Sequence, residues 1–173
     1  LLPPTVSSDL TLTAGVDYLM EGRVTVGNGN GQLEINGDGT LADGSSVRNV
    51  TLTIEPGVKV LGKTGTFANL VITRGSKLMA MGTQSAPIVF SSDDEGLDGS
   101  GEWGGLIMHG YAPHNECSEG GSYCDIDSEG ESGFAGGYDP NDSSGVLRYV
   151  VVAEGGYEFS TGNEINGISL VAV

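Results

Sequence analysis

The sequence predicts an all-β chain wound as a right-handed parallel β-helix, a solenoid with long loop insertions, in a single domain over residues 1–173. Three observations predict it. Glycine supplies 30 of the 173 residues without collagen's three-residue period, so the chain turns often. Short runs of alternating Val, Ile and Leu separate those turns and argue against disorder. A strand–glycine–strand unit also recurs along the first half of the chain.

That unit reads Leu10-Thr11-Leu12-Thr13-Ala14-Gly15-Val16-Asp17-Tyr18, then Leu52-Thr53-Ile54-Glu55-Pro56-Gly57-Val58-Lys59-Val60, then Leu70-Val71-Ile72-Thr73-Arg74-Gly75-Ser76-Lys77-Leu78. The second and third copies lie 18 residues apart. That offset is too short for a propeller blade, and period-two alternation excludes a helical repeat. Read as one solenoid coil, it stacks Leu52, Ile54 and Val60 on Leu70, Ile72 and Leu78, one strand spacing of about 4.8 Å away. Glycines 57 and 75 then fall at a corner, where positive φ is wanted. Separate hairpins with similar turns are the competing arrangement.

Further strands are expected at Pro87–Phe90, Gly105–Met108, Leu147–Val152 and Ile168–Val173. The last is still apolar at Val173, and a solenoid needs its terminal coil covered. The expectation is a fragment from the N-terminal part of a longer chain, its C-terminal edge covered by further chain or by another molecule. Two stretches break the pattern, about residues 27–49 and 111–144. Insertions in solenoids leave at corners and gather on one side, so function is expected there.

Net charge is −16, from 7 Lys+Arg against 23 Asp+Glu, which repels a phosphate backbone and excludes nucleic acid as a natural partner. No apolar run approaches the roughly 18 residues of a membrane span. Cys117 and Cys124, the only cysteines, flank a short polar loop. A local disulfide is the preferred reading and places the chain in an oxidising compartment; two free thiols are the alternative. Zinc spacing is absent. The start at Leu1-Leu2-Pro3-Pro4, without methionine, fits a processed secreted protein.

The runs Leu52-Thr53-Ile54-Glu55-Pro56-Gly57-Val58, Ala86-Pro87-Ile88-Val89-Phe90, Glu102-Trp103-Gly104-Gly105-Leu106-Ile107-Met108-His109-Gly110 and Ser144-Gly145-Val146-Leu147-Arg148-Tyr149-Val150 resemble secreted or lipid-anchored bacterial proteins similar to the pectate-lyase-like β-helix superfamily. The resemblance covers about residues 9–173. It implies the fold and a location outside the cytoplasm, and it implies no activity, since that scaffold carries lyases, hydrolases and adhesins alike.

Asp125, Asp127, Glu129 and Glu131 alternate with small residues just after Cys124 and are the candidate metal ligands. Calcium is the expected ion, because oxygen ligands on a glycine-rich loop suit its flexible coordination. The spacing resembles the start of an EF-hand, but Gly136 stands where the bidentate Glu belongs. A solvated acidic loop is the competing account. Arg74 and Arg148 are read as pairing with carboxylates on adjacent rungs, and Trp103 as packing. His109 and His114 are weighed as a base or ligands, without a nucleophile signature such as GxSxG beside them. The expected function is a non-catalytic extracellular scaffold for surface attachment or for binding a matrix polymer, polysaccharide or cell-surface component, with calcium as a stabiliser. The alternative is a polysaccharide-degrading enzyme, lyase or hydrolase, whose catalytic coils lie past Val173.

Overall fold

A computed structural model describes residues 1–35, 39–121 and 123–173 and shows a parallel β-helix. Strands of two to five residues alternate with tight corners. The first coil is β1 (Thr5–Val6), β2 (Leu10–Leu12) and β3 (Asp17–Met20). The second is β4 (Val24–Val26), β5 (Thr51–Ile54) and β6 (Lys59–Gly62). The third is β7 (Asn69–Ile72), β8 (Lys77–Met81) and β9 (Ile88–Ser92). The fourth begins with β10 (Gly105–His109) and departs into a hairpin, β11 (Ile126–Ser128) and β12 (Gly133–Ala135), joined by a 3-10 turn at Glu129–Glu131. It resumes as β13 (Gly145–Arg148) and β14 (Val150–Val152). A second hairpin, β15 (Glu158–Ser160) with β16 (Asn163–Glu164), precedes β17 (Ile168–Val171).

Each coil visits three parallel sheets in turn. Sheet A orders β1-β4-β7-β10-β17, sheet B orders β2-β5-β8-β13, and sheet C orders β3-β6-β9-β14. Inward side chains stack into one apolar, mainly aliphatic column that includes Val26, Leu52, Ile54, Val60, Leu70, Ile72, Leu78, Phe90 and Leu106, all at most 2 % exposed.

The rung is not the 18-residue unit expected from the sequence. Leu52 pairs with Leu10 and Leu78, whereas Leu70 sits on a different sheet between Val24 and Leu106. The 18-residue step carries the chain from sheet B to sheet A. The first two copies are true rung neighbours, with Leu10 on Leu52, Leu12 on Ile54, Asp17 on Lys59 and Tyr18 on Val60. The confusion has a physical cause. Corners make one demand wherever they fall, and Gly15, Gly57 and Gly75 all adopt left-handed φ, at 83°, 84° and 79°. Strands on any sheet face the same core and so share one alternation.

Both long insertions leave at the corner between sheets A and B, one after β4 and one after β10. Between them the third coil turns the same corner tightly, through Thr73-Arg74-Gly75-Ser76. The second insertion folds back over the outside of sheet A. There Val71 and Ile107 meet Ile165, from the segment after β16, in a small second core, so β10 is buried on both faces, with Leu106 and Met108 in the main core and Ile107 in this one. Ile168 and Leu170 of β17 stack on Leu106 and Met108 but are 43 % and 58 % exposed, because no further strand covers them among the described residues.

Candidate functional site

Arg74 occupies the tight corner between the two insertions, and its side chain is fully buried. A buried guanidinium needs every N–H matched and its charge compensated. Here Nε donates to the Gly29 carbonyl at 2.7 Å and Nη2 to the Gly31 carbonyl at 2.5 Å, both in the first insertion. Nη1 faces the second insertion, donating to the carbonyls of Cys124 and Gly136, each at 3.1 Å, and to Asp125 Oδ1 at 2.8 Å. The Asp125 carboxylate in turn accepts the Leu33 N–H, at 3.1 Å to Oδ2. One arginine therefore ties both insertions to the coil, and the Tyr111 ring lies 5.8 Å from its guanidinium carbon. Arg23 repeats the device nearby. It donates to Asn69 Oδ1 at 3.0 Å, to the Glu131 carbonyl at 2.6 Å and to the Gly130 carbonyl, anchoring the 3-10 turn over sheet A.

Above Arg74 the insertions enclose an open cleft of about 600 Å³, lined by Gln32, Leu33, Glu116, Tyr123, Asp125 and Phe134 among others. The disulfide Cys117–Cys124, with Cα atoms 5.4 Å apart, forms part of its wall. A second cavity of about 300 Å³ shares Leu33 and Tyr123 with the cleft and adds Tyr111, Tyr138 and Asp139. A third, of about 360 Å³, shares Glu116 and Ile126 and adds His114, Asp127, Ser128, Glu129, Asn166 and Ser169. Through these shared residues the second and third cavities flank the first, and the three are treated together as one depression on the inserted side. Tyr123 is 38 % exposed within it, while the Tyr138 hydroxyl donates to the Ser118 carbonyl at 2.5 Å and fixes that ring.

The four acids expected to share a metal do not gather as one set. Asp125 is committed to Arg74. Asp127 and Glu129 line the third cavity, and Glu129 Oε2 accepts from Asn166 Nδ2 at 2.7 Å and Ser169 Oγ at 3.3 Å. Glu131 lies beside Arg23, and its backbone, at φ 52°, forms the end of the 3-10 turn. Among the described residues no three His, Cys, Asp or Glu side chains converge so as to hold a metal ion. Arg74 also differs from its sequence reading: its carboxylate partner comes from the insertion and not from an adjacent rung.

Residues 40–173 match the family described as the pectate-lyase like beta helix domain. The chain belongs to that family. No curated protein and no solved structure matches it. The family match begins inside the first insertion, and the coils before it in this β-helix, β1 to β4, continue the same three sheets.

The other candidates of this pectate-lyase-like β-helix settle into structural places. Trp103 is fully buried and donates Nε1–H to the Ala153 carbonyl at 2.7 Å, in agreement with a packing role. Arg148 is exposed, with its guanidinium carbon 5.4 Å from the centre of the Tyr149 ring. His109 is fully buried at the end of β10. Ser132 Oγ donates to the Glu129 carbonyl at 2.8 Å, so His109 Nε2 carries the proton it shares with Ser132 Oγ at 3.2 Å, and Nδ1 has no partner among the described residues. Burial, then the charges of Arg74 and Arg23, push its pKa down to about 4. His114 lines the third cavity, and its Nδ1 accepts the Glu116 N–H at 3.3 Å.

Sequence reasoning missed Glu154, which is 7 % exposed at the corner between sheets C and A. Its carboxylate accepts from the Ser91 hydroxyl, from Ser92 Oγ at 2.9 Å, and from the amides of Asp98 at 3.0 Å and Gly99 at 3.3 Å. The Ser91 bond leads the effects that lower its pKa to about 2. Its backbone, at φ 61°, holds a left-handed conformation costly for a non-glycine residue. The tyrosines of the cleft were missed as well. The only available signal was their clustering within the acidic insertion, at positions 111, 123 and 138.

Proposed function

We propose that this protein is a non-catalytic extracellular scaffold that holds a polysaccharide or cell-surface polymer in the cleft between its two insertions. The observation that carries the reading is the preformed cleft itself, with walls fastened by a buried arginine and a disulfide. Pre-ordered walls lower the entropy lost on binding. Exposed Tyr123 beside polar groups such as Gln32 and Asp139 supplies the apolar faces and hydrogen-bonding edges that a sugar ring requires. The disulfide supports a location in an oxidising compartment. In this reading the exposed edge bearing Ile168 and Leu170 is covered by another molecule.

The test is affinity electrophoresis against a panel of neutral, amino-bearing and uronate polysaccharides, with Tyr123→Ala as the cleft variant. Retardation by one class, weakened about tenfold in the variant at unchanged melting temperature, is the expected result. Polymer cleavage, seen as new reducing ends or as absorbance from new double bonds, overturns the non-catalytic assignment in favour of a degrading enzyme.

A further inference from the structure

The lining of the depression carries one sign of charge. Glu116, Asp125, Asp127, Glu129 and Asp139 border the three cavities, and no Lys or Arg does among the described residues. The nearest guanidinium, Arg74, lies buried beneath the cleft with Asp125 at 2.8 Å, so that ion pair is internally balanced. The other four acids are not paired with a cation, since the Arg74–Asp125 pair is the one salt bridge among the described residues. Both hydrogen bonds to the Glu129 carboxylate fall on Oε2, which leaves Oε1 for a ligand. A second observation points to a ligand independently of charge. Ser128 is 7 % exposed at the wall of the third cavity, and its Oγ has no hydrogen-bond partner among the described residues. A buried hydroxyl without a partner is costly and calls for one.

We propose that the depression selects a polysaccharide with free amino groups, a polycationic hexosamine chain, over an anionic uronate. This rests on the cleft reading above and names its ligand class. The ammonium groups meet Asp127 and Glu129 while the sugar faces lie on Tyr123. A uronate would bring a like charge into the acidic lining of a chain whose net charge is −16, and clefts lined by one sign of charge concentrate that field.

The test is calorimetric titration of the intact protein with four probes of equal length: a glucosamine oligosaccharide, its fully N-acetylated twin, an oligouronate and oligolysine. The expected result is that the glucosamine oligomer binds at least tenfold tighter than its acetylated twin, weakening as salt rises, with no uronate binding. Asp127→Asn combined with Glu129→Gln should remove most of that preference. Glu21→Gln combined with Glu95→Gln, which removes two exposed acids elsewhere, should keep it. Equal affinity for the two sugars, tighter uronate binding, oligolysine binding as tight as the sugar, or an equal loss in both double variants overturns the amino-sugar assignment and leaves the cleft reading standing. Absence of binding to any of the three oligosaccharides overturns both.

Discussion

At the scale of single residues, Arg74 has the largest leverage. Five hydrogen bonds from one buried guanidinium reach both insertions. Arg74→Met would leave four carbonyls and the Asp125 carboxylate without their donor. A loss of about 3 to 5 kcal/mol is expected, read as a shift in urea midpoint. His109 sets the response to acid. Its folded pKa, about 4, lies below its ordinary value of 6.5, so the unfolded chain takes up a proton that the folded one refuses. Stability therefore falls as pH drops from 6.5 towards 4, by on the order of 3 kcal/mol at the limit. Glu154 acts lower: held down to about 2 from 4.5, it stabilises the fold above pH 4.5, and this is lost on acidification towards pH 2. Melting curves across pH should show both windows. His109→Gln should flatten the upper one and leave the lower one in place; an unchanged upper slope would show that the imidazole is not its source.

Among elements, the two insertions and the corner between them form a unit distinct from the coils. The Cys117–Cys124 bridge closes a loop wholly inside the second insertion, whereas the coil strands are held by ladders that do not involve it. Reduction should cost about 2 to 3 kcal/mol of ordering in that loop. Hydrogen exchange should speed up for amides near residues 112–124 while β7 to β9 keep their protection. Loss of protection throughout would show that the insertion is integral to coil stability. The strand–glycine–strand unit belongs to this scale too. It was legible because corners and inward faces impose local rules, and its period was misread because those rules are the same on all three sheets.

For the molecule as a whole, the placement of Asp125 on Arg74, Glu131 beside Arg23, and Asp127 and Glu129 at the third cavity bears on calcium. Binding to the native state alone raises the melting temperature by mass action. Among the described residues these four acids do not converge as one set, so melting temperatures in chelator and in millimolar calcium should agree; a clear rise with calcium would place an ion in the acidic insertion. By itself the sequence determined that the chain forms short parallel strands around one aliphatic column, that two insertions interrupt it, and that its surface is acidic. Those properties follow from local alternation, glycine corners and summed charge, which are written in order along the chain. Only the tertiary structure decided which strands are rung neighbours, that Arg74 meets Asp125 across 51 positions, and that three tyrosines and four unpaired acids line one depression. Such pairings depend on loop lengths and on how the coils stack, so residues distant in sequence meet only once the solenoid is wound.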